Sequence, residues 1–384
     1  MPSSPDKNLT GRTGEKYAVW LEKTNRWLSL EEPAFFVVTG YLKGRSSERI
    51  IKQCTQKYFL PVQESQRFVM EVLDLIKEYR DSPPDPKPFR EIRLSHQPLR
   101  RTPVHFRYRL NGRIISINYG SEAIAYYFHP LLEPFLFQGK GKTKAWFIIR
   151  AKNKELELIS SYSPLTALLF KEVPPLKRQV FSLISSVINS IPLRNWSVFI
   201  HGSAVTNDEQ AVVLSSLSGS GKSTVAAVLM NKGYSVLADD FIPVNGKTGL
   251  IHALPLPLSI KKEAVPVLGT IFPGLEKQSY QFRKYHSKFS YLLPNSLGSE
   301  LTFPVKKVKA VFFLSYQPGE PVTLSIMEQN EALQAFIINA TIQPEYRRIK
   351  DFFNWFRDIP CYSLNYPHPE TAAAEVAKIL GSKA

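Results

Sequence analysis

Cysteine is scarce: Cys54 and Cys361 are the two in 384 residues, far apart and without metal-ligand spacing. That excludes a disulfide scaffold and a zinc module, and reads as a reduced, cytoplasmic protein. Long apolar runs are absent too. None approaches the roughly 18 residues a membrane helix needs, so no membrane partner is expected. The opening MPSSPDKNLTGRTGEK lacks the apolar core of a secretory signal. Acidic residues are short against basic ones, 33 to 49, for a formal charge of +16. This balance favours polyanionic partners, from nucleotides and phosphopeptides to acidic peptides and nucleic acid, or reflects no more than a basic, soluble surface. There is no RNA-binding aromatic motif or zinc finger, so nothing points to a dedicated nucleic-acid role.

What is present suggests two or three domains. Residues 1–14 are polar and read as a disordered tail. From 15 to 82 the chain patterns as a small α+β unit. AVWLEKTNRWLSL gives two strands around a Lys-Thr-Asn turn, and EEPAFFVVTGYLKG a short helix. SSERIIKQCTQK is a serine-capped helix with Ile50, Ile51 and Cys54 at helical spacing. ESQRFVMEVLDLIKEY sets Phe68, Val69, Val72, Leu73 and Ile76 on one face of a third helix. DSPPDPKP then breaks regular structure, because prolines fix φ and remove amide donors. Residues 83–88 are therefore a linker, and 89–384 a larger α/β domain. In its first part HFRYRL, RIISINYG, KAWFIIRA and LELISSY read as strands that complete the sheet beneath the site, with Pro175–Ser190 as a helix. His129 reads as a packed helix-end histidine.

The specific chemistry lies in HGSAVTNDEQAVVLSSLSGSGKSTVAAVLMNKGYSVLADD, His201 to Asp240. A buried strand at Val212–Leu214 runs into Ser216-Leu-Ser-Gly-Ser-Gly-Lys-Ser223, and a helix follows through Thr224. Gly219 and Gly221 let the backbone curl so that successive amides, with the helix N-terminus, face one anion. Ser218, Ser220 and Thr224 belong to the same phosphate cradle. Lys222 would reach the β- and γ-phosphates of ATP and the Ser223 hydroxyl would ligate Mg2+. Ser216 stands where the general motif has its first glycine. The next strand, YSVLA, delivers Asp239 and Asp240 at its carboxyl end, where α/β sheets place ligand chemistry. One carboxylate is enough for a metal, and a second suits acceptance of a proton.

Two resemblances follow from these residues. His201-Gly202, Ser218 to Ser223 and Ala238-Asp239-Asp240, with their spacings, resemble the HPr kinase/phosphorylase superfamily, whose core is similar to the nucleotide domain of phosphoenolpyruvate carboxykinase. The likeness extends over about residues 100–384. It implies an α/β fold with a P-loop kinase core and ATP-dependent phosphorylation of a hydroxyl. By that resemblance Lys222 binds phosphate, Ser223 and Asp239 hold the metal, Asp240 is the general base and His201 stands against it. LPLPLSIKK resembles a proline-rich strand ending in lysine, so that Lys261 or Lys262 steadies the γ-phosphate or the acceptor. The HPr-docking signature after the aspartates is not recognised, so the implied acceptor is another peptide or small protein, and reverse phosphorylase activity is not implied. The basic, aromatic stretch YQFRKYHSKFSY is a candidate to hold it, with His286 a surface histidine.

The unit at 15–82, through its strand pair, three helices and the Arg45-Ser46-Ser47 helix start, resembles the winged-helix PqqD-like domains that grip leader regions of ribosomal precursor peptides. The combined expectation is an ATP/Mg-dependent serine kinase, with that unit recruiting a precursor peptide. The alternatives are a small-molecule hydroxyl kinase, with the unit a mere cap, or a nucleotide-gated peptide-binding module without transfer. Family analogy adds a homo-oligomer.

Overall fold

The computed structural model of the chain describes residues 8–84, 87–98, 101–216, 219–275, 281–286, 288–297 and 302–382. It is a mixed α/β structure in two compact units. One comprises Met1–Pro86, Met327–Ala335 and Ile342–Asp358; the other comprises Lys87–Ile326, Phe336–Thr341 and Ile359–Ala384. The first break falls inside the proline-rich stretch. Two C-terminal pieces nevertheless belong with the N-terminal unit, so 89–384 is not one continuous domain.

In the smaller unit, Leu9–Thr13, Lys16–Leu21 and Arg26–Leu30 form an antiparallel meander, with Leu9 opposite Trp20 and Trp20 opposite Trp27. The first strand lies in the stretch expected to be a tail. Its Leu-Thr-Gly-Arg-Thr carries no apolar alternation, and its pairing with a hydrophobic neighbour makes it a strand. Helices Glu32–Leu42, Ser47–Tyr58 and Val62–Asp81 follow. The Ser46 Oγ caps the second, accepting from the Arg49 amide at 3.3 Å. Val19, Val38, Ile50, Cys54, Val69 and Leu73 close this core. The amphipathic helix Tyr346–Phe356 belongs here because of its aromatic face: Phe353 stacks on Trp27 at 6.3 Å and Phe352 meets the same ring edge-on at 6.4 Å. Gly11 lies so close that a Cβ there would sit 2.2 Å from the Phe353 ring. No side chain fits at that position as the ring now lies.

The larger unit has two large sheets, with Leu258–Lys261 paired to Phe289–Leu292 and Gln281–Phe282 to Tyr285–His286 as separate two-stranded ribbons. The strands between 90 and 170 form a six-stranded sheet of their own, in the order Arg90–Arg93, Thr166–Phe170, Glu155–Ser160, Thr143–Lys152, Arg113–Tyr119, Val104–Leu110. The expectation that they complete the sheet beneath the site is thereby corrected. Periodicity identifies a strand but not its partner. Helix Val173–Asn189 packs Leu176, Val180, Phe181 and Ile184 into the core of that sheet, which also takes in Trp196, Phe199 and Phe241 from the second one.

The second sheet has ten strands. Ser235–Asp239, Gly202–Thr206 and Gln210–Ser215 lie antiparallel in that order, and Gln210–Ser215 then runs parallel to Val305–Tyr316. The first residues of that long strand pair with Leu250–His252, which leads through Ile242–Asn245 and Trp196–Ile200 to Ala340–Thr341. Its later residues run parallel to Cys361–Tyr366. Helices Lys222–Asn231 and Pro369–Leu380 share an apolar core with this sheet, through Val225, Leu229, Ala372 and Val376 against Val212, Leu214, Phe312 and Leu364. Both helices begin at the carboxyl ends of the strands that precede them, where the glycine loop also lies.

Candidate active site

The loop after Gln210–Ser215 turns on two glycines in the left-handed region, Gly219 at φ +95° and Gly221 at φ +83°. Gly221 is the N-cap of helix Lys222–Asn231, so the loop ends at amides that no residue of the helix itself satisfies. The Tyr366 hydroxyl donates to the Ser220 carbonyl at 2.7 Å, and a Cβ on Gly221 would stand 2.1 Å from that hydroxyl. Glycine is therefore required at 221 by conformation and by space together. The Ser216 and Ser220 hydroxyls are hydrogen-bonded to each other across the loop. The Lys222 ammonium is buried and donates to the Ser216 carbonyl at 3.0 Å. Serine at 216 thus serves the loop through its backbone carbonyl and its hydroxyl. Burial lowers the Lys222 pKa, opposed by Asp240 and then Asp239, with Lys261 adding to the lowering.

The adjacent aspartates have opposite surroundings. Asp239 is buried and accepts from Ser203 Oγ at 2.5 Å, from Ser223 Oγ at 3.0 and 2.9 Å on its two oxygens, and from the Ser259 amide at 3.2 Å. Burial raises its pKa, to about 7, and the Asp240 charge pushes the same way, while the three hydrogen-bond donors oppose. Asp240 follows at φ +63°, a left-handed turn that a short polar side chain tolerates. That turn takes its carboxylate out of the sheet, to 46% exposure. The His201 Nδ1 lies 3.8 Å from its Oδ1 and 3.3 Å from its backbone oxygen. His201 itself sits in the break between Trp196–Ile200 and Gly202–Thr206 rather than on a strand.

Beside Asp239 and the loop lies a cavity of about 590 Å3, within the size range of small-molecule and cofactor sites. His201, Gly219, Gly221, Lys222, Ser223, Thr224, Asp240 and Lys261 all line it, and Phe289, Tyr316 and Tyr366 supply aromatic surface. Ser218 lies outside the described residues. Of the lysine pair, Lys261 lines the cavity and its Nζ stands 3.7 Å from the Cβ position of Gly219; Lys262 is exposed and does not line it. Phe289 is the one described residue of YQFRKYHSKFSY that lines it, and His286 is exposed. Away from the site, His129 is buried at a helix start, its Nδ1 2.9 Å from the Tyr108 hydroxyl, and burial pushes its pKa down to about 4.

Four contributors have no sequence signal. Ser203 faces Asp239 across the strand pair, but no motif names a serine two residues past the histidine. Ser259 acts through its amide. Tyr366 arrives from the last strand of the chain. Lys177, on helix Val173–Asn189, feels the Asp240 charge, which opposes a pKa lowered by burial.

Among the described residues no group of three or more His, Cys, Asp or Glu side chains can enclose a metal. That leaves the arrangement typical of magnesium, in which one or two carboxylates and a hydroxyl share the ion with phosphate oxygens and water. Asp239 and Ser223 fit it: a buried carboxylate with no cation paired to it among the described residues touches a hydroxyl at the head of the glycine loop. No protein-family model matches the chain, and no curated protein matches it either.

Proposed function

We propose that the chain is an ATP- and Mg2+-dependent kinase that phosphorylates a serine hydroxyl of a peptide or small protein. The observation that carries this reading is the single cavity lined by the glycine loop, Lys222, Ser223, Asp240 and His201. A purely binding module has no need of an exposed carboxylate with an imidazole beside it at the end of a phosphate cradle. The amides of the loop and the start of helix Lys222–Asn231 hold the β- and γ-phosphates, and Lys222 and Lys261 add charge. When bound, magnesium neutralises charge on the phosphates and keeps them in line. Ser223 and Asp239 would hold it.

The two aspartates divide the work by environment. Asp239 is tied to three donors and cannot swing. Asp240 is exposed, borders the same cavity and is free to accept a proton. The acceptor oxygen forms a bond to the γ-phosphorus as the bond to the β,γ-bridging oxygen breaks; ADP leaves, and the hydroxyl proton passes to Asp240. His201 positions that carboxylate. The smaller unit, with its meander and three helices, is the candidate for recruiting the peptide, in keeping with the winged-helix resemblance.

The test is transfer of label from γ-labelled ATP, with magnesium, to serine peptides, followed by mapping of the labelled residue. Phosphoserine formed by the wild type and not by Lys222→Ala supports the reading. Tight ATP binding with no labelled product from any acceptor favours a nucleotide-gated binding module. Deleting residues 1–85, otherwise a natural test of recruitment, would strip the Trp27 partner from Phe352 and Phe353. Point substitutions on the exposed faces of the smaller unit, read as a rise in peptide KM, are the sounder probe.

A further inference from the structure

A second cavity of about 190 Å3 meets the first at its edge. His201 and Asp240 line both, and Asp239 lines the second and not the first. The second one contains no part of the glycine loop. Its apolar wall is Phe181, Phe199, Phe241 and Leu256, all buried, with Phe199 and Phe241 stacked at 4.9 Å. Its other wall is the first part of helix Val173–Asn189, which places Pro174, Lys177 and Arg178 there. Among the described residues no carboxylate forms an ion pair with Lys177 or Arg178 within 4.0 Å; the acidic group that Lys177 feels is Asp240.

We infer that this second cavity receives the acceptor, and that it selects a hydroxyl with a carboxylate or other anionic group close by. The inference rests on the kinase reading and deepens it. A base between two substrates has to face both, and Asp240 borders both cavities. The volume is smaller than a drug-sized site and suits a hydroxyl-bearing residue with its neighbour, not a nucleotide. Of the two carboxylates that line it, Asp239 is tied to Ser203, Ser223 and Ser259 and Asp240 must stay ready for a proton, so the two cations of the helix are open to a further negative charge. An anion there replaces the hydration that burial removes from Lys177 and pairs with the exposed Arg178, through charge-assisted hydrogen bonds. A neutral acceptor offers Lys177 no such partner. The apolar side then holds the methylene groups of the acceptor.

The experiment uses the full chain, ATP and magnesium, with serine peptides that differ only in Glu or Gln beside the serine, each with a free or an amidated C-terminus. The expected result is a kcat/KM about tenfold higher with an anionic neighbour, the size of one charge-assisted hydrogen bond. Lys177→Gln and Arg178→Gln should each reduce use of the anionic peptide far more than use of the neutral one. A preference that follows Glu assigns the anion to a side chain, and one that follows the free carboxylate assigns it to a chain end; either supports the pocket. Equal use of all peptides by the wild type, or a loss in Lys177→Gln that is equal for charged and neutral peptides, overturns it. Calorimetry with a non-hydrolysable ATP analogue separates the two readings. If no peptide is phosphorylated but the anionic one binds and Lys177→Gln weakens it, the pocket stands and the kinase reading falls. If binding shows no discrimination, the pocket falls as well.

Discussion

The two cavities that meet at Asp240 are built in different ways. The larger one takes its loop, lysine and magnesium-type hydroxyl from one run of residues, Gly219 to Thr224, shaped by backbone conformation. The smaller one is assembled from Leu131, the start of helix Val173–Asn189, Phe199 to His201, Phe241 and Leu256, segments far apart in the chain. A phosphate is recognised by amides and a helix end, which a short local sequence can create. A pocket for a side chain needs walls from several elements, and these come together only when the core packs. Asp240 belongs to both regions, and the following substitutions test that division.

The largest effect is expected at the shared group. Asp240→Asn removes the proton acceptor and should lower kcat by about 10²–10⁴-fold, with nucleotide affinity retained. Asp239→Asn should instead weaken magnesium-dependent nucleotide binding. Identical defects in both variants, measured by steady-state kinetics and calorimetry, would erase the distinction drawn between the neighbours. Lys222→Ala confines the damage to the larger cavity. A fall in transfer of about 10²–10³-fold is expected, with a circular dichroism spectrum like that of the wild type.

Gly221→Ala tests whether backbone shape makes that cavity. The residue must adopt φ +83° and place its methyl against the Tyr366 hydroxyl, so a cost of about 1–3 kcal/mol in stability is expected, with weaker ATP binding. Adding Tyr366→Phe should recover part of it. An alanine variant with the wild-type melting temperature and nucleotide affinity would show that the loop is not conformationally constrained.

The smallest effect is a pH dependence. Asp239 has a raised pKa in the folded chain, about 7 against an ordinary 3.8, so its carboxyl keeps its proton where the unfolded chain has lost it. The resulting stabilisation is complete below the ordinary value and is lost as pH rises through about 7. Asp239→Asn should therefore gain stability relative to the wild type between pH 4 and pH 8 in melts without metal, and magnesium should narrow the gap at pH 8. A difference between the two melting curves that is independent of pH would contradict the burial of this carboxylate.

Much of the fold is legible in the sequence where the signal is local. The capped helix after Ser46, the amphipathic third helix and the strand, loop and helix around Lys222 all lie where their periodicity and glycines put them. The strand Leu9–Thr13 is not legible, because its residues carry no apolar alternation and its stability comes from Lys16–Leu21 beside it. Nor is the place of helix Tyr346–Phe356 in the N-terminal unit, which depends on two phenylalanines finding Trp27 more than 300 residues earlier in the chain. The site divides along the same line. Lys222, Ser223, Asp239 and Asp240 announce themselves by spacing, while Ser203, Tyr366 and Lys177 are ordinary residues until the strands pair and the helix docks.

By itself, then, the sequence determined the elements and the glycine loop, because φ preferences, capping and hydrophobic period act over a few residues. Only the tertiary structure decided that the strands between 90 and 170 form their own sheet, that Asp239 is buried while Asp240 turns outward, and that a cationic wall faces it. Those outcomes depend on which surfaces exclude water together, and neighbours along the chain carry no record of that.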